Sequence, residues 1–294
     1  MLYRPDLSVS ASTVTKWGRI QGQGMQALRV LLLTLLMLLA PRVVLAQTDV
    51  DLELVLAVDI SLSMDMEEQR LQRDGYIAAF RAPELQRIIQ SGSRGRIAVT
   101  YMEWAGPQAQ HVVVPWMLVD GPAAAERFSA LLEATQISRA RMTSISTALE
   151  FAGRLLRDNA FRGERKVIDV SGDGPNNSGR PVVPVRDALV ADGVIINGLP
   201  ILLREGQQSG FFEMSQLDAY YENCVIGGQG AFVIPIRARS EFATAIRRKL
   251  MLEISGIALE PRLMHAQASG PATGADCMVG EQQWRRYMDG PYRN

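Results

Sequence analysis

Two carboxylates and three hydroxyls stand out, each beside an element that could carry it to a common point. Asp59, Ser61 and Ser63 follow an apolar run in Asp-x-Ser-x-Ser spacing. Asp173 lies in Ser171-Gly172-Asp173-Gly174 after another run, and Thr143 precedes a helical pattern. With neither His nor Cys among them, these side chains form a hard-oxygen set suited to Mg²⁺, Mn²⁺ or Ca²⁺ rather than to zinc or copper. Mg²⁺ takes about six oxygens and keeps some waters, so five side chains leave room for one outside ligand. A carboxylate from a protein partner would complete the shell and help neutralise the ion. The alternate side chains of a tight Asp-x-Ser-x-Ser loop can face one centre.

The elements that must position these residues are legible as alternating runs. Strand-like segments are Leu52–Asp59, Ile97–Trp104, Val112–Val119, Lys166–Ser171, Val194–Leu199 and Ala231–Ile236. Between them, residues 144–159 carry Ile145, Ala148, Leu149, Ala152, Leu155 and Leu156 on one helical stripe, and Phe242, Ile246 and Leu250 recur every four residues. Strands alternating with helices predict βαβ crossovers and a mainly parallel sheet covered on both faces. Ala105–His111 is too short for a crossover helix, so the second and third strands should form an antiparallel hairpin with 112–119 at a sheet edge. In such sheets ligands bind at the carboxyl ends of the strands. The Asp59, Thr143 and Asp173 segments meet there if the strand order reverses between the first and fourth strands.

Composition limits the function. The 294 residues are 47% hydrophobic and 21% charged, with 31 basic and 31 acidic side chains, a globular mixture. Val30–Ala40 is apolar apart from Thr34, is preceded by Arg29, and is followed by small residues at Val44-Leu45-Ala46. The run is too short to span a bilayer and reads as a secretory signal ending at Ala46, with Met25 an alternative start. Its removal takes away Arg4, Lys16, Arg19, Arg29 and Arg42 against Asp6 alone, leaving an acidic mature chain. Nucleic acid is thereby disfavoured as a partner. No second long apolar run follows, so the mature chain should lack a membrane span and be periplasmic or extracellular. Export favours pairing of the two cysteines, Cys224 and Cys277; the alternative is one buried and one free thiol. The expected organisation is a signal over 1–46, one α/β domain over 47–255, and a tail over 256–294, poor in periodicity and tethered through Cys277.

Asp59-Ile60-Ser61-Leu62-Ser63, Thr143 and Asp173 together resemble, in order and spacing, the metal-ion-dependent adhesion site of von Willebrand factor A domains. The resemblance covers roughly residues 50–255. It implies a doubly wound sheet of order 3-2-1-4-5-6 with a metal at its top, bound directly by Ser61 and Ser63. Thr143, Asp59 and Asp173 would then be direct or water-mediated according to ligand state. More narrowly, the chain resembles an uncharacterised family of exported bacterial proteins with such a domain, a likeness that names no partner.

Three other readings bear on these residues. Asp59, Ser61 and Ser63 could simply cap the first helix, and Thr147-x-x-Glu150 could form a capping box near Thr143. Asp59 and Gly172–Asn177 also resemble the first and last motifs of haloacid-dehalogenase phosphatases, where a strand-end Asp is the nucleophile and Mg²⁺ assists. Those enzymes need a second Asp where this chain has Ser61, and no phosphate-binding Lys is evident. A metal-free scaffold with a vestigial site is the remaining alternative. Glu103 and Trp104 could line the site's rim, though packing is the simpler role, and Asp169, inside an apolar strand, requires a partner that the sequence does not identify.

Overall fold

The computed structural model describes residues 47–203, 216–256 and 275–290; the segment read as a signal lies outside them. Five strands, β1 (Thr48–Asp59), β2 (Ile97–Trp104), β3 (Gln110–Val119), β4 (Phe161–Gly172) and β5 (Val194–Pro200), form one sheet in the order β3-β2-β1-β4-β5. All neighbours pair in parallel except β2 with β3, the antiparallel hairpin. Helices α1 (Met66–Arg81), α2 (Pro83–Ser91), α3 (Pro122–Ala134), α4 (Ile145–Arg157), α5 (Val182–Ala191), α6 (Leu217–Tyr220), α7 (Phe242–Ser255) and α8 (Val279–Asp289) surround it. This is the expected doubly wound α/β sheet.

Burial on both faces explains why β1 is apolar without alternation. Leu52, Leu54, Leu56 and Val58 pack with Phe80 of α1, Phe128 of α3 and Phe242 and Leu250 of α7. Val55 and Ala57 face the other way, against Ile145, Leu149 and Ala152 of α4 and Val185 and Leu189 of α5. The edge strand β3 carries Pro115, and its pairing with β2 slips register between Val99 and Tyr101 and again between Tyr101 and Met102.

Two expectations are corrected. The Ala231–Ile236 run takes the sixth position beside β5, but only through isolated bridges such as Gly198 with Val233 and Ile201 with Ile236. Pro235 supplies no N–H, which breaks a regular ladder. In addition, part of the supposedly aperiodic tail forms α8. The Cys224–Cys277 bridge is present and closes a 53-residue separation, a constraint on the unfolded chain of about 4 kcal/mol. Among the described residues, no helix is long and apolar enough to cross a membrane.

The partner of Asp169 is Lys249. On β4 and β5, Asp169 and Asn197 stand opposite each other in register. Lys249 Nζ of α7 lies 2.6 Å from Asp169 Oδ1 and 2.5 Å from Glu253 Oε1. Asn197 Nδ2 donates to that same Glu253 oxygen at 2.9 Å, and Tyr76 reaches Asp169 Oδ2 at 3.4 Å. All of these groups are buried, so α7 is fixed to the sheet by charge as well as by apolar packing. Lys249→Met should lower stability in urea unfolding by about 3–5 kcal/mol, because it leaves two buried carboxyls without a counter-charge. A loss below about 1 kcal/mol would show that the cation is dispensable.

Burial, joined by the charge of Asp169, pushes the Glu253 carboxyl up to about 7 from 4.5. The folded protein therefore holds a proton that the unfolded chain has released, and stability should fall as pH rises between these two values. Glu253→Gln should flatten that decline in unfolding measured across the window; an unchanged slope would assign it to other groups.

Candidate metal centre

The five sequence-selected oxygens come from two neighbouring strand ends and one loop. Parallel pairing sets Val58 of β1 beside Ser171 of β4, so Asp59 and the residues just past Gly172 leave the sheet side by side. After Asp59 the chain turns tightly, with Ser61 N–H donating to Asp59 Oδ1 at 2.7 Å. The turn is pinned to the loop between α3 and α4, where Leu62 N–H donates to Ala140 O at 2.9 Å and Ala140 N–H to Ile60 O at 3.1 Å. Further along that loop, Met142 has a left-handed backbone with φ of 71°. Ser144 N–H then donates to Ala105 O at 2.8 Å, seating Thr143 between the hairpin and the β4–α5 loop.

Three of the oxygens form a compact triangle. Ser63 Oγ donates to Asp173 Oδ1 at 2.6 Å, Ser61 Oγ lies 2.7 Å from Ser63 Oγ, and Ser61 Oγ lies 3.5 Å from Asp173 Oδ1. Neighbouring oxygens in an octahedral Mg²⁺ shell stand about 3 Å apart, √2 times a metal–oxygen bond of about 2.1 Å. The triangle's edges bracket that separation, two shorter hydrogen-bonded and one longer, so the three oxygens stand close enough to share one ion after small side-chain shifts. Asp59 is fully buried, and its Oδ2 accepts no hydrogen bond. Burial first, and the charge of Asp173 second, push its carboxyl well above the usual range. A buried carboxylate with an orphan oxygen beside a second carboxylate is stabilised by a cation. The donor set fits a divalent ion.

Thr143 is buried on the wall formed by the β4–α5 loop. Its N–H donates to Asn177 Oδ1, and Asn177 N–H donates back to Thr143 O, both at 2.9 Å. Its Oγ1 lies 3.9 Å from the point where a Cβ on Gly174 would stand. Next to this pair, Ser146 N–H donates to Asn176 Oδ1 at 3.0 Å. The loops bearing Thr143 and Asp173 are thus zipped together by two adjacent asparagines, which the sequence analysis gives no role beyond the Gly172–Asn177 resemblance. Their side-chain amides suit loop-to-loop bonding, but nothing local in the sequence names the partner.

The capping alternative fails at the first helix. The N-cap of α1 is Asp65, which accepts from Glu68 N–H at 2.8 Å while Glu68 returns an acceptor to Asp65 N–H at 2.9 Å. Asp59, Ser61 and Ser63 are therefore not used as caps. Nor does Thr147 cap α4, which begins at Ile145, while Glu150 pairs with Arg180 at 2.8 Å. Glu103 and Trp104 are buried packing residues. Glu103 pairs with Arg73 of α1 and lies 3.2 Å from His111, which sits within β3 rather than in the hairpin turn.

Two features beneath the site were not anticipated. A Cβ on Gly172 would stand 2.9 Å from Asp59 Oδ2 and 2.8 Å from the Tyr221 hydroxyl, so only glycine lets the strand end approach both. Tyr221 is fully buried, and its hydroxyl has no hydrogen-bond partner. Among the described residues, no group of three or more His, Cys, Asp or Glu is placed to hold a metal, and this site, with two carboxylates and three hydroxyls, is no exception.

The comparisons agree with this geometry at the level of fold. A family model described as "Protein of unknown function (DUF1194)" matches residues 49–258. No curated protein matches the chain. Among solved structures, the pilus adhesin SpaC from Lactobacillus rhamnosus GG aligns with a TM-score of 0.53 at 11% identity, covering 70% of this chain and 30% of that one. Proximal thread matrix protein 1 from the mussel byssus, in a form with a zinc-occupied MIDAS motif, aligns at 0.48 and 17% identity, covering 71% and 49%. A von Willebrand factor type A protein from Catenulispora acidiphila aligns at 0.45 and 15%, covering 70% and 43%. The chain thus spans about half the length of the byssus protein and less of the other two. At 11% identity the alignment with SpaC speaks to the fold alone, the doubly wound α/β sheet described above.

The raised Asp59 carboxyl has a measurable consequence. A cation at this site would have to displace its proton, so Mn²⁺ affinity in calorimetry should rise with pH, with proton release on binding. A pH-independent affinity would remove Asp59 from the shell.

Proposed function

This chain belongs to the DUF1194 family of proteins of unknown function, and we propose that it is an exported, divalent-cation-dependent protein-binding module of adhesion type. The observation that carries this reading is the triangle of Ser61, Ser63 and Asp173 oxygens beside the orphan oxygen of Asp59. Mg²⁺, Mn²⁺ or Ca²⁺ would be held by Asp59, Ser61, Ser63, Thr143 and Asp173. The bound ion would supply a positive centre for an anionic oxygen. Because three of the five donors are neutral hydroxyls, the shell leaves that centre attractive to a carboxylate presented by a partner protein. Asp59 and Asp173 provide the charge, while the zipped loops keep the hydroxyls from drifting. Leu62, between the two serines, is 46% exposed and offers the partner an apolar contact at the rim. Export is supported by the apolar run Val30–Ala40 and by the Cys224–Cys277 bridge, which suits an oxidising compartment.

A phosphatase is the poorer fit. Lys249 is committed to Asp169 and Glu253 inside the core and does not reach the strand ends as a phosphate ligand.

Calorimetric titration of the protein with Mg²⁺ and Mn²⁺ tests the proposal. Asp173→Ala should weaken binding at least about tenfold while circular dichroism stays unchanged, because the site lies at the rim. Unchanged affinity in that variant, or no binding by the parent even with acetate present, would exclude the cation-dependent reading.

A further inference from the structure

Helix α8 reaches the metal loop from outside the sheet. Its second residue, Gly280, packs so closely that a Cβ would stand 2.1 Å from Asn176 O and 3.1 Å from Pro175 Cγ. Its third, Glu281, accepts from Asn176 Nδ2 at 2.7 Å. Asn176 is the residue that receives Ser146 N–H, and its neighbour Asn177 grips Thr143. From the other side, Tyr220 OH accepts Asn176 N–H at 3.1 Å, and Tyr221 lies under Gly172. Tyr220 ends α6 and Tyr221 opens the following turn, Tyr221–Val225, which contains Cys224, and α8 begins two residues after Cys277. The bridge therefore joins the two elements that hold the Asp173 loop.

Burial alone holds α8 weakly. Of its 11 residues only Gly280 is fully buried, Val279 packs partly buried against the core that contains α4 and α5, and Tyr287 and Met288 are exposed. A helix of that length is marginal by itself in water, so the covalent bond adds materially to this modest packing.

We infer that α8 is a disulfide-held clamp on the Asp173 loop, and that opening the Cys224–Cys277 bridge lowers the affinity of the site for divalent cations. The inference rests on the cation-site reading above. Two electrons and two protons from a dithiol, itself oxidised to a disulfide, convert the bridge into two thiols. Helix α8 then loses its tether, Asn176 loses Glu281, and the zip that positions Thr143 against Asp173 loosens. Cation affinity follows the redox state of a bond that touches none of the five donors.

The test uses the full chain, with Mn²⁺ as the probe and two variants, Cys277→Ser and Glu281→Ala. Mn²⁺ titration is read together with hydrogen exchange at the amides of Thr143, Ser146 and Asn176. Cys277→Ser should weaken Mn²⁺ binding about tenfold and Glu281→Ala about threefold, through loosened positioning rather than lost ligands. The three amides should exchange faster in both variants, while the β1 and β4 amides keep their protection. Parent-like affinity and exchange in both variants would overturn the clamp. If Cys277→Ser does not fold, Glu281→Ala, with its bridge intact, decides the matter on the same two readouts. If the oxidised parent binds no Mn²⁺, the cation-site reading falls, and the exchange rates of the three amides alone decide whether α8 clamps the loop.

Discussion

Two negative charges are delivered to one point by the parallel pairing of β1 with β4, and most of the surrounding structure manages that conflict. Side-by-side strands of the same direction must end side by side, so the carboxylates that follow them cannot avoid each other. In water such proximity costs little; with Asp59 fully buried it is severe. The protein spends a backbone N–H and two serine hydroxyls on these groups and still leaves one carboxylate oxygen unmatched. A buried polar atom without a partner disfavours the folded state unless something else is meant to meet it. The same strand ends, were a cation to neutralise them, would become a stable and directional site.

The buried ion cluster on the opposite side of β4 solves a related problem differently. Asp169 also lies within the sheet, but its counter-charge is built into the chain as Lys249, with Glu253 and Asn197 completing the hydrogen bonding. Two aspartates four residues apart thus meet different surroundings, Asp169 within β4 and Asp173 just past its end. The first is neutralised by a lysine of the chain and fixes α7; the second accepts from serine hydroxyls beside the unmatched oxygen of Asp59. In the proposed reading, this contrast is what suits the strand ends rather than the Asp169 cluster to exchangeable binding.

Much of this was readable from local pattern. The strand ends, the hairpin and the stripe of α4 depend on residues close in sequence, and Asp59, Ser61, Ser63, Thr143 and Asp173 follow from where those elements stop. What stayed hidden depends on contacts across long separations. Lys249 meets Asp169 only because α7 returns across the sheet, and Asn176 meets Glu281 only because α8, far along the chain, returns to the β4–α5 loop beside the Cys224–Cys277 bridge. The sixth strand differs for the opposite reason: its residue types favour extension, but Pro235 removes the donor that a continuous ladder needs. The apolar boundaries also make the hairpin connection look longer than it is, so β3 begins at Gln110 and takes in His111.

The irregular pairing along β3 bears on how the molecule behaves in company. An open sheet border with a straight row of unpaired backbone groups is a template for another chain to join. Here Pro115 withholds a donor at mid-strand and two register slips bend the border, so an incoming strand would find neither a continuous row nor a flat approach. Crowded copies of the protein are accordingly poor templates for one another along this border.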